Sequence, residues 1–527
     1  MAVTQIPNEL IEFGVKTFGT SSIMLGDTTT GTIDAANYNT GLGVNVFEDL
    51  TSGDNNTALG FNALTNITTG SDNTAIGRTT LVSTTTGSNN TAVGSVALNV
   101  NTGDSNTAVG KSALAANTVG GSNVALGYQA MNSNVQGDRA VAVGYQALYT
   151  QNPSTSGEDT FNTAVGFSSM ALTTTGINNT AVGAKALESN TTASDNTAIG
   201  FSAMLANTTG IRNTAVGRRA LVSNTTGQDN EAFGRHALES NTTGSQNCGL
   251  GRAALNSNTT GNYNVGVGYG TVGGTADNNT GVGYQALGSS STGSQNVAVG
   301  RAMWSGTITG SSNVAVGFDA GKVVTSGYES VFIGKDCGDN VTTGYGHTCV
   351  GKAVKPAYAS GSSGELGFGR DMSTNGTGYF TVGVSTSKGY YAYGTTNGFT
   401  AGSDERLKEE IVDSSVGLDF INDLRPRTFK WKQCGDVPSD MPQYVEGSTT
   451  RHLNKEETQL GLIAQEVKTA IDNHPEIPNG FSAWTTDVEG TQCLDFVPFI
   501  QPLIKAVQEL SAKNDALEAR IATLEGE

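Results

Sequence analysis

Residues 213–229 read NTAVGRRALVSNTTGQD, and this 17-residue pattern decides the fold of most of the chain. It recurs from Asn39 onward as N-T-A-V-G-x-x-A-L-x-x-N-T-T-G-x-x, in 19 copies with almost uniform spacing. When the asparagine is numbered position 1, position 5 is glycine in every copy and position 4 is always large and apolar. Position 9 is large and apolar in 16 copies, and one insertion of five residues falls around Pro153–Gly157.

A unit of this length is too short for two packed helices, and its glycine and Thr-Thr-Gly content opposes helix. It predicts one coil of a β-solenoid: a short T-A-V strand, a glycine bend, a second short strand x-A-L, and an Asn/Thr/Gly turn. We expect the glycine to turn positions 4 and 9 inward, and stacked coils to align their asparagines in a hydrogen-bonded ladder. At about 4.8 Å per coil, this mainly β shaft should be roughly 90 Å long.

One coil holds only about two large apolar side chains, at positions 4 and 9, which is a thin core for a long rod. The alanines at positions 3 and 8 are small and flat, so we expect them to face neighbouring chains. The repeat therefore predicts a homotrimer of parallel rods around a threefold axis. It resembles the β-roll heads of trimeric adhesins and the shafts of bacteriophage tail fibres.

The shaft is predicted over residues 36–353, between two segments outside the repeat. Residues 1–35 form a distinct end, which in a fibre would attach to a phage tail or baseplate protein. Residues 354–402 are predicted to be β-rich, with a hairpin at Tyr379–Val384 and Lys388–Tyr393, and to form the distal tip. Their aromatic residues either stack on sugars of a host receptor or cap the trimer core. These residues are Tyr379, Phe380, Tyr390, Tyr391 and Tyr393.

The composition changes abruptly at Ser403, where 63 of the 70 glycines have already passed. The first 402 residues carry 41 charged side chains and the last 125 carry 35, so the change predicts a domain boundary. The net charge of −18 and the lack of an evident basic stripe argue against nucleic-acid binding. No membrane-spanning run or signal peptide is evident, so we expect folding in a cytoplasm and no membrane insertion.

The cysteines and histidines do not suggest a metal or cofactor site. The five cysteines form no CxxC pair, and the four histidines lack ligand spacing, so no metal, cofactor or disulfide framework is expected. Cys337 and Cys349 occupy alanine positions of the repeat and are predicted to be small buried residues. The GxGxxG match at Gly268–Gly273 follows from the glycine content of the repeat and does not predict a nucleotide site.

Residues 403–527 carry four motifs in order: SDERLK (403–408), GLDFINDLRPRTFKWK (417–432), GLIAQEV (461–467) and a terminal heptad helix. Together they resemble the endosialidase-type intramolecular chaperone, a self-processing domain at the ends of phage tailspikes and fibres and in some membrane-tethered transcription factors. The resemblance covers all 125 terminal residues and implies a small α+β domain.

The resemblance also implies a catalytic dyad of Ser403 and Lys408 that cleaves the Gly402–Ser403 bond once, in cis. A lysine with a lowered pKa can deprotonate a serine, and the chain itself places Ser403 beside the scissile carbonyl. No external substrate is predicted. The alternative is that Ser403 merely caps a helix running through Arg406–Ile411.

The tail over 503–524 predicts a short trimerising coiled coil with a polar core residue, Asn514, that sets register. Its heptad positions are Leu503, Val507, Leu510, Asn514, Leu517, Ile521 and Leu524. Such a clamp would suppress slippage between identical repeats before the shaft folds.

These features predict a phage tail fibre that binds a host surface glycan or protein, trimerised by a chaperone that then releases itself. It would be assembled in the host cytoplasm and carried on the virion. One alternative is a trimeric adhesin, which would need a secretion signal and a membrane anchor. The other is a glycan-degrading tailspike, for which the shaft lacks a concentrated set of carboxylates.

Overall fold

The computed structural model describes residues 14–18, 22–26, 35–288, 290–304, 307–361, 364–385, 387–392, 409–439, 441, 443–451, 456–478, 481–486 and 491–526. The chain forms two compact units, Met1–Ala401 and Gly402–Glu527. The strands of the first unit are β1 (Gly14–Phe18), β2 (Ser22–Gly26), β3 (Thr40–Gly43), β4 (Thr57–Leu59), β5 (Thr74–Ile76), β6 (Thr91–Val93), β7 (Thr107–Val109), β8 (Val124–Leu126), β9 (Gly137–Asp138), β10 (Val141–Val143), β11 (Glu158–Asp159), β12 (Thr163–Val165), β13 (Thr180–Val182), β14 (Thr197–Ile199), β15 (Thr214–Val216), β16 (Glu231–Phe233), β17 (Cys248–Leu250), β18 (Val265–Val267), β19 (Gly273–Gly274), β20 (Thr280–Val282), β21 (Ser290–Ser291), β22 (Val297–Val299), β23 (Val314–Val316), β24 (Val331–Ile333), β25 (Thr348–Val350), β26 (Leu366–Arg370), β27 (Tyr379–Val384) and β28 (Ser387–Ala392).

The T-A-V strands stack in parallel into one long ladder, which confirms the predicted β-solenoid. Each position lies over the same position of the next coil, as in the pairs Ala181–Ala198 and Val182–Ile199. The ladder runs from β2 to β27, and antiparallel partners, β1 and β28, close its two ends. The insertion near Pro153 adds only a two-residue pairing between β9 and β11.

The side chains of the strand point in the direction opposite to the prediction. The alanine at position 3 is completely buried, whereas position 4 is exposed or half-buried: Leu59 retains 41% and Phe233 40% of its accessible surface. Side chains alternate along a strand, so a buried position 3 forces positions 2 and 4 outward. The prediction that position 4 lies in the core was wrong. The expected alanine face between chains was wrong too, since the alanines line the core of their own coil.

The second predicted strand, x-A-L, is a turn. In the coil that begins at Asn179, Lys185 and Leu187 have φ values of 59° and 51°, and Asp195 has 61°. A left-handed conformation at positions 7 and 9 reverses the chain quickly, so Leu187 reaches a core too narrow for a second strand. The burial of this leucine offsets the strain of its backbone.

Two columns of buried asparagines satisfy the backbone of the turns, and the first confirms the predicted ladder. At position 1, the Asn196 Oδ1 atom accepts the Asn213 backbone N–H at 2.9 Å, and the Asn213 Nδ2 atom donates to the Gly227 carbonyl at 2.9 Å. At position 12, the Asn224 Nδ2 atom donates to the Asn207 Oδ1 atom at 2.9 Å. Because unpaired buried backbone groups are costly, these amides hold the coils together.

The second unit contains short elements and one long helix. Its elements are α1 (Leu418–Asp423), β29 (Arg427–Phe429), a 3-10 turn (Cys434–Asp436), β30 (Gln459–Gly461), α2 (Ala464–Asp472), β31 (Trp484–Thr486), β32 (Gln492–Leu494), a second 3-10 turn (Val497–Phe499) and α3 (Ile500–Glu525). Strands β29 and β30 pair antiparallel, as do β31 and β32. Among the described helices, none has the length and apolar character to cross a bilayer.

Candidate functional site

The predicted dyad and cleavage site lie outside the described residues. Gly402, Ser403 and Lys408 therefore remain a prediction. The described part of the unit begins with Glu409, and residues 409–411 are not helical. A helix extending to Ile411, which was the alternative role for this segment, is thus contradicted. Ile411 and Val412 are exposed, 63% and 85% respectively.

The GLDFINDLRPRTFKWK motif supplies helix α1 and strand β29. A carboxylate from helix α3 lies at the first turn of α1: Glu509 Oε2 accepts a hydrogen bond from the Leu418 backbone N–H at 2.9 Å. A negative charge at this end complements the helix dipole and an otherwise unpaired donor. A Cβ at Gly417 would lie 2.6 Å from Glu509 Oε1, so a larger residue there would have to displace the end of this side chain.

The GLIAQEV motif joins strand β30 to helix α2, and it lies against the preceding motif. Gly461 pairs with Arg427 in the β29–β30 ladder. The Arg427 guanidinium donates to both carboxylate oxygens of Glu466, through Nε at 3.0 Å and Nη2 at 2.6 Å. This contact lowers the pKa of Glu466. Two motifs separated by about 30 residues in the sequence are thus joined by one strand pair and one bidentate ion pair.

The core of the unit is small and aromatic. Phe420 of α1 is completely buried, and its ring stacks on Phe499 at 6.3 Å between centroids. The edges of Phe481 and His474 meet Phe420 at 5.8 and 5.5 Å. Aromatic pairs of this kind contribute about 0.5–1.5 kcal/mol each beyond their buried area.

The His474 side chain links helix α1 to the segment that follows α2 through hydrogen bonds. Its Nε2 atom lies 2.9 Å from Asp423 Oδ2, and its Nδ1 atom lies 2.7 Å from Glu476 Oε1. The hydrogen bond to Glu476, followed by that to Asp423, raises the pKa of His474 above its ordinary value. When it is protonated, the imidazole donates to a carboxylate from each of its two nitrogens.

Residues 403–475 match the family model described as chaperone of endosialidase. The matched segment contains the first three motifs, including the predicted dyad, and it ends at the residue after His474. Helix α3 lies beyond it. No curated protein and no solved structure matches the chain.

Beyond the matched segment, helix α3 presents the predicted heptad residues on an exposed face. Leu510 is 51% exposed and Leu517 is 58% exposed, and the buried residues of the helix, Pro502 and Ala506, lie near its amino-terminal end. Asn514 is also exposed, and its amide donates to Glu518 at 2.7 Å. The helix is confirmed, while its association into a coiled coil remains a prediction.

The predicted tip hairpin is present as β27 and β28, in which Tyr379 pairs with Ala392 and Phe380 with Tyr391. Tyr379 and Phe380 are half-buried, and the Phe380 ring meets the edge of Phe368 at 5.5 Å. Tyr390 lies on β28, and Tyr393 falls outside the described residues. A receptor role for these aromatics is still a prediction.

Sequence reasoning missed the polar contacts that join the chaperone-like motifs. These contacts involve Glu509, Arg427 and His474. In each case the partner is distant in the sequence or is not marked by a sequence pattern. The motif glycines offered one signal: Gly417 and Gly461 both stand where another group approaches closely, Glu509 in one case and the Phe429 ring in the other. A lone glycine does not identify that group.

Proposed function

We propose that this chain is the subunit of a trimeric bacteriophage tail fibre, which binds the host cell surface and travels on the virion. Residues 1–35 dock onto the tail, and residues 403–527 direct trimerisation and then leave by self-cleavage. The observation that carries the proposal is the match to the chaperone of endosialidase model immediately after a long β-solenoid. A detachable assembly domain is useful where identical repeats must be aligned.

Trimerisation is supported by the position-4 column, the outward-facing apolar residue of each coil. The column runs from Leu42 to Val382, and none of its side chains is buried. If roughly 50 Å² remains exposed per residue, the column offers about 1,000 Å² per chain, against about 800 Å² per partner in a standard interface. A monomer rarely exposes so long an apolar surface. This column, rather than the alanines, is the surface we assign to contacts between shafts.

Helix α3 aligns the three chains with one another. Coils that differ little in sequence can pair one or more coils out of register at small cost. The exposed heptad face of α3 has a single correct trimeric alignment, because its one polar core residue, Asn514, must meet its own copies. Three chains joined there start their shafts in register, and removal of the clamp afterwards leaves a kinetically trapped fibre.

Release is the role of Ser403 and Lys408. The lysine acts as the base that takes the serine proton, and the serine hydroxyl attacks the adjacent Gly402 carbonyl. An ester forms between Gly402 and the serine oxygen, the Ser403 nitrogen leaves as an amine, and water hydrolyses the ester. The reaction occurs once in each chain, because the substrate is the chain itself.

Denaturing gels with mass analysis test the proposal. Wild type should give two fragments of about 402 and 125 residues, and Ser403→Ala should remain whole. Ser415→Ala is the control, since this exposed serine lies outside the dyad in the same unit. Light scattering should show a trimer for all three proteins. An intact wild type, a cleaved Ser403→Ala variant or a monomer would contradict the proposal.

A further inference from the structure

The residue after the invariant glycine forms a second exposed column, which we call the position-6 column. It runs from Val44 to Arg370 and contains nine of the 17 basic residues that precede Ser403. Eight other members are aromatic, and none is acidic. From Phe201 onward the residues in successive coils are F-R-R-R-Y-Y-R-F-K-K-R. The stripe is not evident in the sequence because neighbouring members are about 17 positions apart; the fold brings them into one line.

The members of this column touch along the axis of the shaft. Tyr269 and Tyr284 stack with centroids 5.3 Å apart, and the Arg252 guanidinium lies 5.3 Å from the centre of the Tyr269 ring. Arg301 lies between Tyr284 and Phe318, at 5.9 and 5.6 Å from the two ring centres. Arginine and aromatic side chains therefore form one continuous exposed surface.

The positive charge of the column is balanced at its distal end but not in the middle. Lys335 pairs with Asp336 at 2.9 Å, and Lys352 pairs with Asp371 at 3.2 Å. Arg218, Arg235 and Arg252 are exposed and follow one another in adjacent coils, and the described residues contain no ion pair for any of them. Like charges one strand spacing apart, about 4.8 Å, repel each other in the isolated chain.

We propose that this arginine run, between Phe201 and Tyr269, binds a linear glycan that carries carboxylates and lies along the shaft. Guanidinium groups bind carboxylates in a bidentate manner, and the flanking rings can pack on the apolar faces of sugars. The inference rests on the proposed function and names its receptor class. Duplex DNA, with one charge per about 1.7 Å, is disfavoured because the remaining surface of this chain is acidic.

Binding of the protein, expressed as the whole chain, to alginate, a linear uronic-acid polymer, tests the proposal by calorimetry at about 0.15 M salt. The variant replaces Arg218, Arg235 and Arg252 with serine, which Ser95 shows to be compatible with this position. The control replaces Arg139, Lys185 and Lys322 with serine, removing the same charge from ion-paired sites off the column. We expect the variant to bind at least about tenfold more weakly and the control to stay within about twofold.

Several results would overturn the assignment. These are no alginate binding by wild type, equal loss in both triple variants, or equally tight binding of neutral dextran or duplex DNA. A lower oligomeric mass in the arginine variant alone would instead place the run between copies of this chain. Cleavage and trimer mass are measured on the same samples. If the protein is cleaved and trimeric but does not bind alginate, only this inference is refuted. If it is uncleaved and monomeric but binds alginate, only the proposed function is refuted.

Discussion

The shaft and the carboxyl-terminal unit are stabilised in different ways. Most coils of the shaft repeat the same few contacts: a buried alanine, a buried leucine, and an asparagine that bonds to the next coil. The second unit depends instead on contacts that occur once, such as Phe420 on Phe499 and Arg427 with Glu466. Repetition gives a long structure from local interactions, but it carries little information about alignment. Unique contacts carry that information.

A few coils depart from the repeat, and these departures, which we call alignment marks, distinguish one coil from another. Phe332 replaces the usual core alanine, and Gly338 opposite it has replaced the usual leucine. A Cβ at Gly338 would lie 2.1 Å from the Phe332 ring, so the two substitutions compensate each other. Near the same end, His347 and Glu365 occupy the slot of the asparagine column. These marks are sparse, so most coils depend on stacking alone.

The largest expected effect comes from the bend glycine of a coil. Gly200 has φ +134°, and a Cβ there would lie 2.7 Å from the Gly217 carbonyl carbon and oxygen in the next coil. Gly200→Ala should destabilise the adjoining coils by about 3 kcal/mol or more, because it adds a backbone clash to an unfavourable conformation. Hydrogen exchange should become faster on both sides of residue 200.

The matched control is the same substitution at Gly447 in the second unit. This glycine also has a positive φ, +69°, but an added Cβ would meet open space. The expected loss is then only the conformational strain, about 1 kcal/mol. An equal loss of stability at the two glycines would mean that the close approach of neighbouring coils does not determine which residues the bend tolerates.

The period of the repeat was sufficient to predict stacked coils, the glycine bend and the asparagine ladder. It was not sufficient to orient the strand. Val182 has the chemistry of a core residue, yet Ala181 is inside, because the coil has room for little more than Leu187 and two alanines. Coil width depends on the left-handed turn at Lys185 and Leu187, and neither residue type indicates such a turn.

The candidate site in the second unit was predictable in its motifs and not in its geometry. The motifs SDERLK, GLDF and GLIAQEV lie within residues 403–475, which the family model matches, although the resemblance was expected to extend over all 125 terminal residues. The bond from Glu509 to the Leu418 backbone spans 91 positions in the sequence, and that of His474 to Asp423 spans 51. Contacts of this range arise from packing, which one sequence does not display.

The two units also differ in how a histidine titrates. His347 is fully buried in the asparagine column of the shaft, and neither ring nitrogen has a hydrogen-bond partner among the residues that the structure describes. Burial lowers the pKa of His347, although the nearby Glu365 opposes this. The unfolded chain therefore binds a proton at a higher pH than the folded coil does. The contribution of His347 to stability is retained above pH 6.5 and is lost as pH falls below it.

His347→Asn should remove this acid sensitivity, because asparagine is the usual residue of the column. In wild type the distal coils should lose up to about 1.4 kcal/mol per pH unit below that point, measured by hydrogen exchange corrected for the intrinsic rate. His236, which is half-buried and lies outside the asparagine column, provides a control, and His236→Asn should leave the pH dependence in place. An unchanged profile in His347→Asn would show that another group titrates there.

The smallest expected effect has the opposite sign and belongs to His474. Because hydrogen bonds to Glu476 and Asp423 raise its pKa, its contribution is fully present below the unfolded value and is lost as pH rises through the folded one. The Asp423 carboxylate is 53% exposed, so solvent screening keeps the effect small. In His474→Gln, exchange in Leu418–Asp423, corrected for the intrinsic rate, should be faster than in wild type at pH 6, and the difference should shrink as pH rises. Both histidines can be followed in one hydrogen-exchange experiment on the same chain. If local stability changed with pH in the same direction at both sites, the contrast between a shaft that buries a neutral imidazole and a unit that stabilises a charged one would be contradicted.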